Sequence, residues 1–80
     1  MIVRENFEIV FRDRDECEFL LALVMFRDVV ICEINREKGA EHMEVEFFFN
    51  DPLYNDLNIK FPLDDFVEAL SVAKEALMDR

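Results

Sequence analysis

The sequence predicts an α+β fold, in which a five-stranded antiparallel β-meander is followed by one C-terminal α-helix packed on one face. Several segments place apolar residues at every second position, which is typical of half-buried strands. All connections before Pro62 are short, and short connections favour antiparallel pairing of consecutive strands. The segment after Pro62 repeats apolar residues at helical spacing. We therefore expect one domain over residues 1–80.

The N-terminal half of the chain predicts three strands separated by charged residues. Residues 2–11 end with apolar side chains at positions 7, 9 and 11, the pattern of a half-buried strand. Residues 17–26 are apolar on both faces, as in a central strand that is covered on both sides. A helix stays open for this segment, because leucine, alanine and methionine are good helix formers. Residues 29–36 are rich in β-branched side chains and predict the third strand.

The C-terminal half predicts two more strands and the helix. The only glycine, Gly39, lies in a predicted hairpin loop over 37–42. Residues 43–50 alternate again, 51–56 form a turn by composition, and 57–61 form a short last strand. The strand residues that should face the helix include Phe7, Ile9, Phe11, Val30, Cys32, Ile34, Met43, Val45, Phe47, Phe49, Leu57, Ile59 and Phe61.

The predicted helix follows Pro62, which ends the last strand. Asp64 or Asp65 is expected to cap it, and Asp65 with Glu68 has the spacing of a capping box. One apolar stripe at helical spacing should pack on the sheet. Its members are Phe66, Ala69, Leu70, Ala73, Ala76 and Leu77.

Acidity is the most unusual feature of the composition. The chain has 19 acidic and 9 basic residues, a formal net charge of −10, and residues 41–80 hold most of the excess. Such a field repels phosphate backbones and anionic lipids, which argues against direct nucleic-acid or membrane binding. It attracts a basic protein partner instead. The alternative, that the acidity only keeps an apolar domain soluble, stays open.

The two cysteines and the N-terminus indicate a cytoplasmic protein. Cys17 and Cys32 are expected to be reduced and buried, each behaving as a small apolar residue. The N-terminal residues do not have the pattern of a secretory leader. The longest apolar run, residues 19–26, is far too short to span a membrane.

Enzymatic chemistry is not expected from this composition. The chain has one serine, Ser71 in the predicted helix, and one histidine, His42 in the predicted hairpin loop. A lone histidine needs further ligands around it to hold zinc, and a single glycine cannot build a phosphate-binding loop. Asp13, Asp15 and Glu16 lack the calcium-loop pattern. The sequence therefore predicts a protein that is not an enzyme and uses no metal or cofactor.

The sheet face opposite the helix is the first candidate binding surface. One helix covers one face, so the other face should display an apolar centre bounded by acidic residues, as interaction sites often do. The predicted partner-binding residues there are Ile31, Glu33, Glu44, Glu46 and Phe48. Two alternatives stay open: the N-terminal segment folds over this face, or two chains pack there as a homodimer.

The turn 51–56 is the second candidate surface. Tyr54 lies between Asp51 and Asp56, which places an amphipathic ring in an acidic setting. Tyrosine at the tip of a loop is well suited to an interface, although it equally often closes the end of a core.

In size, acidity and the order of a β-meander and a helix (FPLDDFVEALSVAKEAL), the chain resembles small acidic inhibitors. These are the cytosolic immunity proteins that bacteria pair with toxins, and phage-encoded inhibitors. The resemblance implies a non-enzymatic protein that neutralises a basic partner, such as a toxin nuclease with a cleft for phosphate. It assigns no role to any single residue. A self-associating module and a protein that mimics nucleic acid stay open as alternatives.

Overall fold

The computed structural model describes residues 1–13, 19–47 and 60–78. The five strands are β1 (Ile2–Val3), β2 (Phe7–Arg12), β3 (Leu21–Phe26), β4 (Val29–Asn35) and β5 (Glu44–Phe47), and the helix α1 spans Leu63–Met78. The strands form one sheet in the order β1-β2-β3-β4-β5, and all neighbours are antiparallel. The predicted α+β meander with one C-terminal helix on one face is therefore confirmed.

The prediction of a single strand over residues 2–11 is wrong. The segment forms a hairpin, in which β1 and β2 are joined by the turn 4–6 and Val3 lies opposite Phe7. Arg4 takes a left-handed conformation with φ of 56°. Three consecutive polar residues interrupt the apolar pattern here, so the chain reverses instead of extending.

The predicted strand 57–61 is not a member of the described sheet. Lys60 and Phe61 lie outside any strand, and residues 57–59 lie outside the described residues. Phe61 instead packs in the core, with its ring centroid 5.1 Å from that of Phe7 and 5.1 Å from that of Phe26. The described sheet still has five strands, because the N-terminal hairpin contributes the additional strand β1.

The segment 17–26 is confirmed as a strand over Leu21–Phe26, and the helical alternative is excluded there. Its central position between β2 and β4 explains why it is apolar on both faces. Ala22 and Val24 belong to the core beneath the helix, while Leu21 and Leu23 are buried on the opposite face. Residues 17 and 18 lie outside the described residues.

A β-bulge interrupts the regular alternation of β4. Val24 pairs with Cys32, but Met25 pairs with Val30, so Ile31 is an extra residue in the ladder. Strict alternation predicted Val30 on the helix side and Val29 on the other. The register instead pairs Val29 with Phe26, a core residue. Because of the bulge, Val29 and Val30 lie on the faces opposite to those predicted.

The helix packs its predicted stripe on the sheet. Ala69, Ala73 and Leu77 are fully buried, and Phe66 and Leu70 pack against the same core. The buried core cluster consists of Val3, Phe7, Ile9, Ala22, Val24, Phe26, Cys32, Ile34, Ala69, Ala73 and Leu77.

The prediction that Asp64 or Asp65 caps the helix is wrong, because the helix begins before them. The helix begins at Leu63, so Asp64 and Asp65 lie within its first turn instead of preceding it. The carbonyl of Pro62 accepts the first backbone hydrogen bond, from Phe66 N, at 3.3 Å. Carboxylates in a first turn still interact favourably with the positive end of the helix dipole.

Two arginines outside the helix contact residues near its two ends. Near the N-terminal end, Arg4 Nε donates to Glu68 Oε2 and lies 3.7 Å from Asp65 Oδ1. Near the C-terminal end, Arg36 Nη1 donates to the carbonyl of Leu77 at 2.6 Å. The last turn of the helix has no basic residue of its own, so Arg36 supplies the donor and the positive charge that a helix C-terminus favours.

The predicted hairpin loop around Gly39 is confirmed between β4 and β5. Gly39 has φ of 109°, a conformation that side-chain-bearing residues rarely adopt. Gly39 N donates to Arg36 O at 2.9 Å, and His42 N donates to Gly39 O at 3.0 Å. These bonds close the loop, and the predicted strand 43–50 begins one residue late, at Glu44.

The β3–β4 hairpin predicts a stabilising substitution. Its two turn residues, Arg27 and Asp28, both have positive φ, 48° and 69°, as a type I′ turn requires. Glycine adopts this conformation without steric cost, so Asp28→Gly is expected to raise the free energy of unfolding by about 0.5–1 kcal/mol. Urea denaturation measures the change. Asp28→Ala removes the same carboxylate but keeps the strain, and an equal gain from it would contradict this explanation.

Candidate functional site

The helix leaves one edge of the sheet uncovered. A helix is about 10 Å wide with its side chains, whereas five strands spaced at about 4.8 Å span roughly 19 Å. Helix α1 contacts β1, β2, β3 and β4, and it makes no contact with the described residues of β5. The side chains of β5 are exposed along its whole described length.

The four residues of β5 present two chemically different faces. Glu46 pairs with Glu33, and Glu44 with Asn35, on the face opposite the helix. Val45 and Phe47 lie on the helix side, beside Ile34 and Cys32 of the core. Although they continue the core layer, Val45 is 50% exposed and Phe47 is 37% exposed. We call Glu44–Phe47 the β5 surface.

The two carboxylates of the β5 surface differ in their surroundings. Lys38 Nζ lies 3.0 Å from Glu44 Oε2, and both side chains are largely exposed. Such an exposed pair is weak and screened by salt, so an incoming cation can replace Lys38. Within residues 1–13, 19–47 and 60–78, no cation pairs with Glu46. Among the described residues, Glu44 therefore has a cationic neighbour and Glu46 does not.

Glu33 and Ile31 are not exposed as the sequence predicted. Glu33 is on the expected face, but it is only 3% exposed, so the prediction that it is displayed to a partner is wrong. It lies between Leu23 of β3 and Glu46 of β5 in the sheet. Ile31 is half-buried and packs against the core, because it is the extra residue of the bulge.

The prediction that the face opposite the helix displays an apolar centre is also wrong. Leu21 and Leu23, at the middle of that face, are both buried. They lie on the central strand, where Leu23 has Val10 on one side and Glu33 on the other. The accessible acidic residues of this part of the sheet are Glu44 and Glu46, as predicted.

Four predicted site residues fall outside the part of the chain that the structure describes. They are Phe48, which follows Phe47 in the sequence, and Asp51, Tyr54 and Asp56 of the predicted acidic turn. Their assignment to a binding surface stays a prediction.

Three of the residues considered for chemistry are described, and they lie on different elements. Cys32 is a free thiol, fully buried beneath the helix, and desolvation raises its pKa to about 11, which disfavours the reactive thiolate. His42 is exposed in the β4–β5 loop, and Ser71 is exposed on the helix. Among the described residues, no three side chains of histidine, cysteine, aspartate or glutamate come together as metal ligands.

Two shallow clefts adjoin the β1–β2 turn. One, of about 150 Å³, lies between this turn and the β3–β4 turn and is lined by Asn6 and Arg27 among others. The second, of about 290 Å³, lies between the same turn and the helix, beside Arg4 and Asp65. Small-molecule pockets typically measure about 300–1,000 Å³. Among the residues that the structure describes, the β5 surface is therefore the stronger candidate for function.

Val45 is the residue of the site that sequence reasoning assigned to the wrong environment. Its position in the alternation placed it correctly on the helix side, and burial was expected to follow. A five-stranded sheet is wider than one helix, and this difference indicates that the helix would not cover a strand at the edge.

No described helix is long and apolar enough to cross a membrane. No protein-family model, curated protein or solved structure matches this chain.

Proposed function

We propose that this chain is a non-enzymatic binding protein that blocks a basic protein partner, as immunity proteins do with bacterial toxins. The observation that carries the proposal is the exposed acidic face of β5, formed by Glu44 and Glu46, on a chain with a net charge of −10. A field of this sign accelerates association with a basic cleft and disfavours acidic competitors.

The two faces of the β5 surface contribute differently to binding, one through charge and the other through apolar contact. Glu46, with no described cation beside it, is the first contact for a basic group, and Glu44 exchanges Lys38 for a partner cation. The exposed parts of Val45 and Phe47 add apolar area that a docked partner would bury. Charge on the rim governs mainly the rate of association, while buried apolar contacts slow dissociation.

The chemistry of Cys32 supports a cytoplasmic site of action. The thiol is free and fully buried, and unpaired thiols are usual in reducing compartments. An immunity protein of the proposed kind would act there, where it protects the cell that makes the toxin.

Reversal of the acidic face tests the proposal. The double variant Glu44→Lys/Glu46→Lys changes the net charge from −10 to −6. It is expected to lower affinity for the partner by about tenfold or more, because two attractions become repulsions. The partner is captured at low salt from a lysate of the source organism, eluted with salt, identified by mass spectrometry and purified. Its affinity for each variant is then measured by calorimetry.

A matched control separates the site from the total charge. Asp13→Lys/Glu75→Lys makes the same charge change at two exposed positions elsewhere, after β2 and on the helix. We expect it to retain most of the affinity and to lose only the long-range contribution. Equal losses from both double variants would assign binding to overall charge, and no loss from either would remove the proposed site.

A further inference from the structure

One residue of β1 directs its backbone groups away from the rest of the sheet. Met1 N donates to Ile9 O at 2.9 Å, and Ile9 N donates to Met1 O at 2.8 Å. Residues of an antiparallel pair alternate between those that bond to the neighbouring strand and those that do not. Ile2 lies opposite Glu8, the next pair along, so its N–H and C=O point away from β2. Within the part of the chain that the structure describes, no second strand pairs with β1, and these two groups have no partner.

The side chains along this edge are apolar and accessible. Ile2 is 68% exposed, and Met1, which precedes it and bonds to the same neighbouring strand, is 55% exposed. Only Val3 turns into the core. An apolar edge strand with outward backbone groups is a template for another strand.

We propose that two copies of this chain associate through β1, with the two strands antiparallel about a two-fold axis at Ile2. In this arrangement the N–H of Ile2 in each copy donates to the C=O of Ile2 in the other. Met1 then lies opposite Val3 of the other copy, and the two sheets form one continuous sheet. The inference goes beyond the proposed function, because the contact leaves the β5 surface of each copy outside it.

The charges on the face opposite the helix permit a second copy at β1. This strand has no charged side chain, so pairing it with itself places no like charges directly opposite one another, whereas β5 would oppose its glutamates. Glu8, which lies beside Ile2 on β2, is the carboxylate in register with the axis. The Glu8 residues of the two copies would be three strand spacings apart, about 14 Å. This separation exceeds the Debye length of about 8 Å at physiological salt.

The charges on the helix side are compensated within each copy. Arg4, which follows β1, donates to Glu68 and lies 3.7 Å from Asp65, so these two helix carboxylates have a cation beside them. The net charge of −10 on each copy still opposes association at long range, and salt screens this repulsion. Dimerisation should therefore strengthen as salt is added, whereas binding of a basic partner should weaken.

Sedimentation equilibrium of the full chain tests the inference. The contact is smaller than the roughly 1,200–2,000 Å² of a stable complex, so we expect a dissociation constant on the order of 0.1–1 mM. Ile2→Pro removes the outward N–H from both copies and keeps the bonds between β1 and β2, and proline is tolerated at such an edge position. We expect it to weaken dimerisation by at least about tenfold with no change in the urea midpoint. Val45→Lys, on β5, is the matched control and should leave the dimer intact.

A charge exchange at the two-fold axis gives the positive control. Ile2→Glu and Ile2→Lys each place like charges opposite one another, and each variant alone should be monomeric. An equal mixture of the two should restore the dimer, because opposite charges then face each other across the junction. Recovery in the mixture shows that both variants are folded and that residue 2 of one copy lies opposite residue 2 of the other.

Three results would overturn association through β1. The first is a monomer mass for the unmodified chain at the highest concentration and salt. The second is a dimer that Ile2→Pro leaves intact and Val45→Lys dissociates, which would assign the contact to β5. The third is a mixture of Ile2→Glu and Ile2→Lys that stays monomeric while the unmodified chain dimerises. None of these results bears on the proposed function, which capture at low salt and Glu44→Lys/Glu46→Lys test separately.

Discussion

Replacement of Phe7 by alanine is expected to lower the free energy of unfolding by about 3–5 kcal/mol. Phe7 is 1% exposed, and its ring centroid lies 5.0 Å from that of Phe26, 5.1 Å from that of Phe61 and 6.1 Å from that of Phe66. It thus joins the sheet, the helix and the segment that leads into the helix. The loss is a large part of the roughly 5–15 kcal/mol that stabilises a typical domain.

Two further variants isolate the cause of the Phe7 effect. Phe7→Leu keeps most of the apolar volume and should cost clearly less than Phe7→Ala. Val67→Ala removes apolar atoms from an exposed position of the helix and should change stability by less than about 0.5 kcal/mol. Urea denaturation monitored by circular dichroism compares the three. A cost for Phe7→Ala no larger than that for Val67→Ala would show that the aromatic cluster does not hold the core.

Replacement of Leu77 by alanine is expected to cost about 2–5 kcal/mol. Leu77 is fully buried in the last turn of the helix, one turn after Ala73. The small side chains of Ala69 and Ala73 allow the helix to lie close to the sheet, so the cavity left at position 77 cannot be filled by neighbours without moving the helix. The same denaturation experiment measures the loss.

The next residue gives a matched control for Leu77. Met78→Ala changes a large apolar residue of the same helical turn, but Met78 is exposed. It should change stability by less than about 0.5 kcal/mol. Similar costs at the two positions would indicate fraying of the last turn and would argue against docking of the helix through Leu77.

Local periodicity determined the elements of this fold. The spacing of apolar residues from Phe66 to Leu77 matched the buried face of the helix, because a helical stripe is set by residues within a few turns of one another. The alternation in β2 and β5 and the loop at Gly39 were also predictable, since each depends on a short stretch of chain. The net charge, and with it the chemical class of the proposed partner, needs no structure at all.

Pairing between strands decided features that no single segment contains. The bulge at Ile31 arises from the register of β3 against β4, and it turned a predicted surface residue toward the core. The turn over residues 4–6 made β1 a separate strand at the end of the sheet order opposite β5, whereas the sequence predicted residues 2–11 as one strand.

The degree of burial was decided only by the tertiary structure. Alternation assigned Glu33 and Val45 to the correct faces, yet Glu33 is buried and Val45 is exposed. Alternation fixes the direction of a side chain from its own strand, whereas its exposure depends on what the rest of the chain places over that face. The helix contacts β1 to β4 and does not contact the described residues of β5. Packing between distant segments sets this position of the helix on the sheet, and it leaves the candidate site on β5 outside the part that the helix covers.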